Sequence, residues 1–577
     1  MSSNNNSFLK SLFFGQIRED LLFPFPQMSD DVSETVTMIN EAITKFSEEH
    51  VDSEQWDKDA SMPREIVDLC SEMGLMGILV EEKHGGLGLP MMAYSRIFEE
   101  LGKHDSSLTV TIGAHQSIGY KALLLFGNEE QKERYLPRLA IGEMIAAFCL
   151  TEPSSGSDAA SIKTKAVVSD DGERYILNGS KLWITNGGIA DFFTVFAKVE
   201  VDDGGIKKEK VTCFVVESKW DGVTVGPPEE KMGIKASWTN EVHFQDVEVP
   251  ATNVVGGIGK GFKVAMGILN HGRMGLAGGC ISGIKNCIEA SLEHANERKQ
   301  FTRRLIEFEM IQEKIALMAV NLYAAEAMAY NTAHLIDKGD VDYSMESAAA
   351  KVFATEALWT ACDENLQIWG GLGFMKEYPY ERWVRDVRIF RIFEGTNEIL
   401  RAFIALSGMQ GPGEELAGLA EAIKYPLKGL GPVTDFAVRK IKRSVLGATV
   451  ENANPALKQI VGIFEEGTTE FADHVEGALR KYGKKIFLKQ FVQKRIADIA
   501  IDLYALACVI ARASKAIEKK GIDKCTLELE LAHAFARTAK RRIHSNFRGF
   551  QKNDDDALQD IALSISELGR YPFDIVN

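Results

Sequence analysis

The residue whose surroundings best suit proton chemistry is Glu394, in RIFRIFEGTNEILR, behind Ile389, Phe390, Ile392 and Phe393 and before Gly395-Thr396. A carboxylate presented from an apolar run at a glycine turn is where burial would raise the pKa and make a general base. The competing reading is a helix start capped by Thr396 or Asn397. A second constellation, LTEPSSGSD at 150–158, packs Thr151, Ser154, Ser155, Gly156 and Ser157 into one loop between a helical block and a strand. Such a loop offers hydroxyls and free backbone N–H groups to a phosphate or to the polar edge of a flavin, or it is an ordinary capped turn. The glycine cluster GGIGKG at 256–261 does not match GxGxxG and has no βαβ unit behind it, which argues against a Rossmann site. GGLGF at 370–374 reads as a tight turn between helices, with ligand contact equally open. The eight cysteines form no CxxC pair, and the eleven histidines include no HExxH. Cys280 and Cys287 share a helix face, but a metal site needs more ligands than two. The cysteines therefore read as buried thiols in a reducing compartment, with no metal.

These groups need a frame to position them. With 577 residues, 45% hydrophobic and 26% charged, the chain has an ordinary globular composition and material for several cores. A net charge of −16 argues against nucleic acid as a partner. The N-terminus lacks the h-region of a signal peptide and the Arg-rich, acid-free helix of a transit peptide. Apolar stretches such as LYALACVIARA fall short of the about 20 residues that span a bilayer, so a soluble protein is expected. Three- and four-residue apolar spacing predicts a helical domain over 30–145. Alternation in ERYILNGSKLWITNGG, around an Asn178-Gly179 hairpin signal, opens a β domain over 146–257. Long helices return over 258–410 as a bundle, a looser basic linker follows over 411–454, and an extra helical domain covers 455–577.

Taken in order, FCLTEPSSGSD, LNGSKLWITNG, ERKQF, QIWGGLGF and IFEGTNEILR resemble the motifs of the acyl-CoA dehydrogenase family. The narrower match is to its very-long-chain members, through GAHQSIGYKALLLFGNEEQKERYLP, KMGIKAS, ILNHGR and VQKRIADIAIDLYA. The resemblance implies a mainly α fold with a β-barrel middle domain: helical N-terminal domain, β domain, four-helix bundle, and an extra C-terminal helical domain. It implies FAD between the middle and C-terminal domains, reached across a homodimer interface. It implies oxidation of a long-chain acyl-CoA to the trans-2-enoyl-CoA in fatty-acid β-oxidation, with an electron-transfer flavoprotein as acceptor.

By the same resemblance, Glu394 is the base that takes the α-proton while a hydride goes to flavin N5. Some relatives carry that Glu one residue before the Arg that matches Arg273; here the position is Gly272. Phe148, Leu150, Thr151, Gly156 and Ser157 would lie along the flavin, with Trp183, Ile184 and Thr185 behind it. Arg298, Gln300, Gln367, Gly370 and Gly371 would reach FAD in the partner subunit, Gln300 standing where many members have Thr. Thr396, Asn397 and Glu398 would also touch FAD. Asn270, His271, Gly272, Arg273, Phe393 and Gly395, with Ser157, would line the acyl-CoA site. The alternatives are an acyl-CoA oxidase and an idle relative serving as a respiratory-complex assembly scaffold. Residues 424–447 hold six basic side chains against one acidic, with an apolar stripe, and are expected to touch a membrane surface. The expected place is the cytoplasm, peripheral on the inner membrane, in a bacterium, or the mitochondrial matrix side for a mature eukaryotic form.

Overall fold

The structure, a computed structural model, describes residues 6–202, 204–424 and 448–575. The chain divides into two compact units: residues 24–400, and a second made of 1–23 with 401–577.

Along the chain the first helix is α1 (Phe8–Leu12), followed by α2 (Asp30–His50), α3 (Ser53–Asp59), α4 (Arg64–Glu72), α5 (Met91–His104), α6 (Ser106–Gly113), α7 (Lys121–Phe126) and α8 (Glu129–Ala140). Between α6 and α7 the helix widens into a π-turn, Ala114–Gly119, whose polar side chains are buried yet bonded elsewhere. Gln116 accepts from the N–H of Ile78 and donates to the Leu75 carbonyl, while His115 Nδ1 accepts from the N–H of Ala146.

Eight strands follow: β1 (Ala146–Cys149), β2 (Lys165–Val168), β3 (Arg174–Thr185), β4 (Phe192–Asp202), β5 (Lys207–Glu217), β6 (Val223–Pro228), β7 (Thr239–Pro250) and β8 (Val254–Val255). They form one sheet in the order β6-β7-β3-β2-β4-β5-β8, with β1 parallel to β4. Alternation divides β4 between two cores. Phe192 and Phe196 join residues of α7, α8 and the next helix, whereas Phe193, Val195 and Ala197 meet inward residues of β1, β2, β3, β5 and β7. The second core is built from the sheet and its connecting loops, which is how a β-barrel fills its interior.

The Asn178-Gly179 hairpin is not formed. β3 runs straight through it, with a register shift against β7 between Leu177 and Gly179. Gly179 lies at φ +155°, and a Cβ there would meet Thr164 Oγ1 at 2.4 Å. The glycine serves a bulge and a close approach rather than a turn.

The chain then enters α9 (Gly261–Glu297), the short ribbon β9 (Lys299–Gln300) with β10 (Arg303–Arg304), α10 (Glu309–Lys338), α11 (Ser344–Trp369), α12 (Gly371–Phe374) and α13 (Tyr380–Val387). α9, α10 and α11 pack on one another, and α5 packs on α9. One apolar cluster joins residues of α2, α4 and α5 to residues of α9, α10 and α11, so the helices on both sides of the sheet in sequence share a core.

α14 (Asn397–Lys424) passes into the second unit, whose other described helices are α1, α15 (Lys458–Tyr482), α16 (Gln490–Lys520), α17 (Thr526–Gly549) and α18 (Asp555–Leu568). The apolar run LYALACVIARA is the buried middle of α16. Among the described residues no helix is long and apolar enough to cross a membrane. Residues 425–447 of the expected membrane-facing segment lie outside the described residues.

Candidate active site

Glu394 is placed by a tight turn between the last residues of the 3-10 helix Arg388–Arg391 and the first turn of α14. Its φ is +55°, and Gly395 follows at +91°. A left-handed non-glycine residue stores strain of order 1–3 kcal/mol and persists only where its surroundings enforce it. Arg273 Nε donates to the Glu394 carbonyl at 3.3 Å, and Arg273 Nη1 donates to Asn270 Oδ1 at 2.8 Å. Lys351 Nζ donates to the Gly395 carbonyl and to Asn397 Oδ1, each at 2.9 Å. Thr396 Oγ1 accepts from the N–H of Ile399 at 3.2 Å, so the capping alternative is realised beside the carboxylate and does not replace it.

One oxygen of the carboxylate stands without a partner. Glu394 Oε2 is shut from solvent and has no hydrogen-bond partner among the described residues. Burial pushes Glu394 up to about 7, with Arg273 and Lys351 pulling the other way. A Cβ at Gly272 would stand 3.1 Å from Glu394 Oε1 and 3.4 Å from Oε2. The side-chain-free face of Gly272 thus abuts the carboxylate of Glu394. Asn270, Gly272, Arg273 and Gly395 are brought together with Glu394, and Phe393 precedes it, stacked on Phe390 with ring centroids 5.4 Å apart. His271 lies on the next face of α9, its ring nitrogens 2.8 and 3.1 Å from the Tyr343 hydroxyl. Burial and the neighbouring Lys121 press His271 down to about 4, so it is neutral at physiological pH.

A second group forms on the sheet. The N–H of Leu182 donates to the Thr151 carbonyl at 3.0 Å, laying the 150–158 loop against β3 beside Trp183, Ile184 and Thr185. β3 is irregular between Lys181 and Ile184, and Trp183, at φ +58°, turns a 61% exposed side chain outward. The loop is pinned from beneath by a buried pair. Lys181 Nζ meets Glu152 Oε1 at 2.7 Å and the Phe196 carbonyl at 2.8 Å, while Glu152 also accepts from Thr164 Oγ1 at 2.6 Å and from the N–H of Thr164. Burial opposes charge on both, yet the Lys181 ammonium keeps Glu152 below the ordinary carboxylate range. Sequence reasoning missed Lys181; its signal is a lysine at an inward position of the β3 alternation.

The remaining predicted residues stand apart. Arg298 caps the exposed end of α9 and Gln300 lies on the ribbon that follows, while Gln367, Gly370 and Gly371 lie at the exposed junction of α11 and α12. Among the described residues, no hydrogen bond or ion pair joins them to the Glu394 group. A Cβ built at Gly156, Gly370 or Gly371 meets nothing within 4 Å. An exposed indole beside a loop of hydroxyls and backbone N–H groups, with Gly156 in that loop open to solvent, fits a large planar group with a polar edge.

Profiles described as "Acyl-CoA dehydrogenase" N-terminal, middle and C-terminal domains match residues 33–143, 147–247 and 259–409, and the "ACAD9/ACADV, C-terminal domain" matches 455–571. The chain is 44% identical over 558 residues to the mitochondrial very long-chain specific acyl-CoA dehydrogenase of Rattus norvegicus, covering 96% of this chain and 85% of that one. An acyl-CoA dehydrogenase of Bacillus anthracis complexed with FAD superposes with a TM-score of 0.80 at 34% identity, covering 98% of this chain and 96% of the other. An electron transferring flavoprotein structure from Acidaminococcus fermentans includes a chain with a TM-score of 0.61 at 36% identity, covering 67% of this chain and 98% of its own.

Proposed function

The chain belongs to the acyl-CoA dehydrogenase family, FAD-dependent oxidoreductases acting on acyl-CoA, and on that premise we propose that it desaturates long- and very-long-chain acyl-CoA thioesters to trans-2-enoyl-CoA, with Glu394 as the base. The observation that carries this reading is the buried, unpartnered carboxylate oxygen of Glu394, held on a strained turn against Gly272 and Arg273.

The α-proton of a thioester is a weak acid, so its removal needs a base of matched strength and stabilisation of charge on the carbonyl oxygen. Desolvation gives Glu394 a pKa of about 7, far closer to the working pH than an exposed glutamate. The Glu394 N–H donates to the thioester carbonyl as enolate charge develops there. Arg273, anchored on the Glu394 carbonyl and Asn270, keeps the turn aimed at the substrate. Asn270, His271, Gly272, Phe393, Gly395 and Ser157 line the acyl-CoA path. Bound FAD supplies the hydride acceptor, held by Phe148 to Ser157, Trp183 to Thr185 and Thr396 to Glu398, and by Arg298, Gln300, Gln367, Gly370 and Gly371 from a partner subunit. Exposed Phe301 and Phe374, apolar rings beside those last residues, support such a dimer. Electrons pass on to an electron-transfer flavoprotein. The enzyme works in the bacterial cytoplasm or the mitochondrial matrix, and the basic segment 424–447 holds it to anionic lipid. Replacing Arg439, Lys440, Lys442 and Arg443 with Gln should release it from anionic liposomes without changing turnover on soluble substrate.

The test of the reaction is anaerobic bleaching of the purified yellow protein by saturated acyl-CoAs of increasing length. Bleaching that is fastest near C14–C18 supports the proposal, and maximal kcat/KM on hexanoyl- or octanoyl-CoA overturns the chain-length reading.

A further inference from the structure

Beneath the Glu394 turn lies a lysine to which neither motif nor spacing drew attention. Lys351, in the second turn of α11, is fully buried. Both hydrogen-bond acceptors of its Nζ are neutral oxygens: the carbonyl of Gly395 and the amide of Asn397. Asn397 is also fully buried and is fixed from its other side, its Nδ2 donating to Thr355 Oγ1 at 3.1 Å and to Glu356 Oε1 at 3.2 Å. Burying an ammonium on neutral acceptors is costly, and a methionine or leucine would fill the same helix position without that cost. The position demands something an apolar side chain cannot give.

We propose that Lys351 is the positioning residue of the base: it clamps the Glu394–Gly395 turn in its left-handed form through the Gly395 carbonyl and brings a second cation, besides Arg273, to the carboxylate. This rests on the reading of Glu394 as the base. The clamp acts on the residue directly after Glu394, where the backbone must hold a φ of +91°, and on the first residue of α14. The turn is thereby bonded to α11 through Lys351 and to α9 through Arg273, one anchor on each of the two peptides that flank Gly395.

The charged and titratable groups facing this spot are few. Glu394 feels Arg273 from α9 and Lys351 from α11, and the Tyr94 phenol of α5 lies near enough to be raised by the carboxylate. Lys351 in turn faces Glu394, Arg273, Cys280 and Glu356. Burial brings Lys351 down to about 8, with Glu394 the strongest opposing influence. The sign follows. Removing the lysine's charge takes away one of two cations that favour ionised Glu394, so the carboxyl should titrate higher and the acid limb of the reaction should move to higher pH.

The experiment measures the rate constant of flavin reduction by palmitoyl-CoA against pH, using FAD-loaded full-length Lys351→Met, Lys351→Gln and Lys351→Arg beside wild type. Expected are a drop of at least about tenfold near neutral pH and an acid limb raised by about one unit in Met and Gln, with the limb restored in Arg. A loss of packing alone would lower rates without moving the limb. The proposal fails if either neutral variant that retains FAD keeps the wild-type limb, or if Arg shifts as far as Met. Glu394→Gln is run alongside. If that variant stays active, the base assignment itself is wrong; if it is dead while the Lys351 variants keep the wild-type limb, only the role of Lys351 falls.

Discussion

At the scale of single residues, Glu394 shows how a site opposes stability to function. Its carboxyl titrates near 7 when folded and near 4.5 when free, so the folded chain binds more protons between those values. Stability contributed by the neutral form is present below about 4.5 and is lost as pH rises through about 7. Glu394→Gln should therefore raise the unfolding free energy above pH 8 by about 1–3 kcal/mol and leave it unchanged at pH 4, as chemical denaturation at the two pH values would show. The same variant should retain FAD and lose turnover by about 10²–10⁴-fold or more. Retention of over a tenth of wild-type activity would move the base elsewhere. The carboxylate was legible in sequence because an apolar run ending at Glu-Gly is itself a burial signal. Lys351 and the Glu152–Lys181 pair were not, since each draws its meaning from partners more than 25 residues away.

At the scale of elements, period and punctuation carried most of the reading. The helical blocks and the strand-rich insert follow from 3.6- and 2-residue patterns, which depend only on neighbours in sequence. The hairpin reading failed at Asn178-Gly179 because Gly179 answers to Thr164 and to a bulge against β7, contacts that local turn chemistry does not encode. The π-turn after α6 is not announced by local pattern for a related reason: His115 and Gln116 in GAHQSIG are satisfied by the backbone of other elements. That widened turn carries the chain-length prediction. Gly113 and the buried Ala114 present no bulk at this turn, and π-turns recur at functional sites. Each methylene buried in a channel there adds about 0.8 kcal/mol of binding. Ala114→Glu should move the maximum of kcat/KM to shorter acyl chains by two or more carbons while sparing FAD content. An unchanged length profile would show that the acyl chain does not run past this turn.

At the scale of the whole molecule, the assembly prediction is that the FAD-loaded protein is at least a dimer. A stable FAD-loaded monomer in light scattering would contradict it. A further prediction concerns the first residues, which sequence reading had considered only as a targeting signal. In SFLKSLFF, Phe8, Leu9, Leu12 and Phe13 are all buried in the second unit. The Phe8 ring lies 5.8 Å from Tyr504 and 6.5 Å from Phe464, and Phe13 meets Phe471 edge-on at 4.9 Å. On α14, Gly408 has no room for a side chain, since a Cβ there would stand 2.2 Å from the Phe13 ring. The segment is thus core for helices more than 390 residues away in the chain, a pairing no local pattern could announce. Truncating a buried Phe costs about 3–5 kcal/mol, and a unit of this size has only about 5–15 kcal/mol in all. Phe8→Ala with Phe13→Ala should therefore take most of that stability. Calorimetry should show an early unfolding transition, and limited proteolysis should cut within 455–575 before wild type is cut there. A double variant with the wild-type transition and cleavage pattern would mean that the second unit stands without its N-terminal plug.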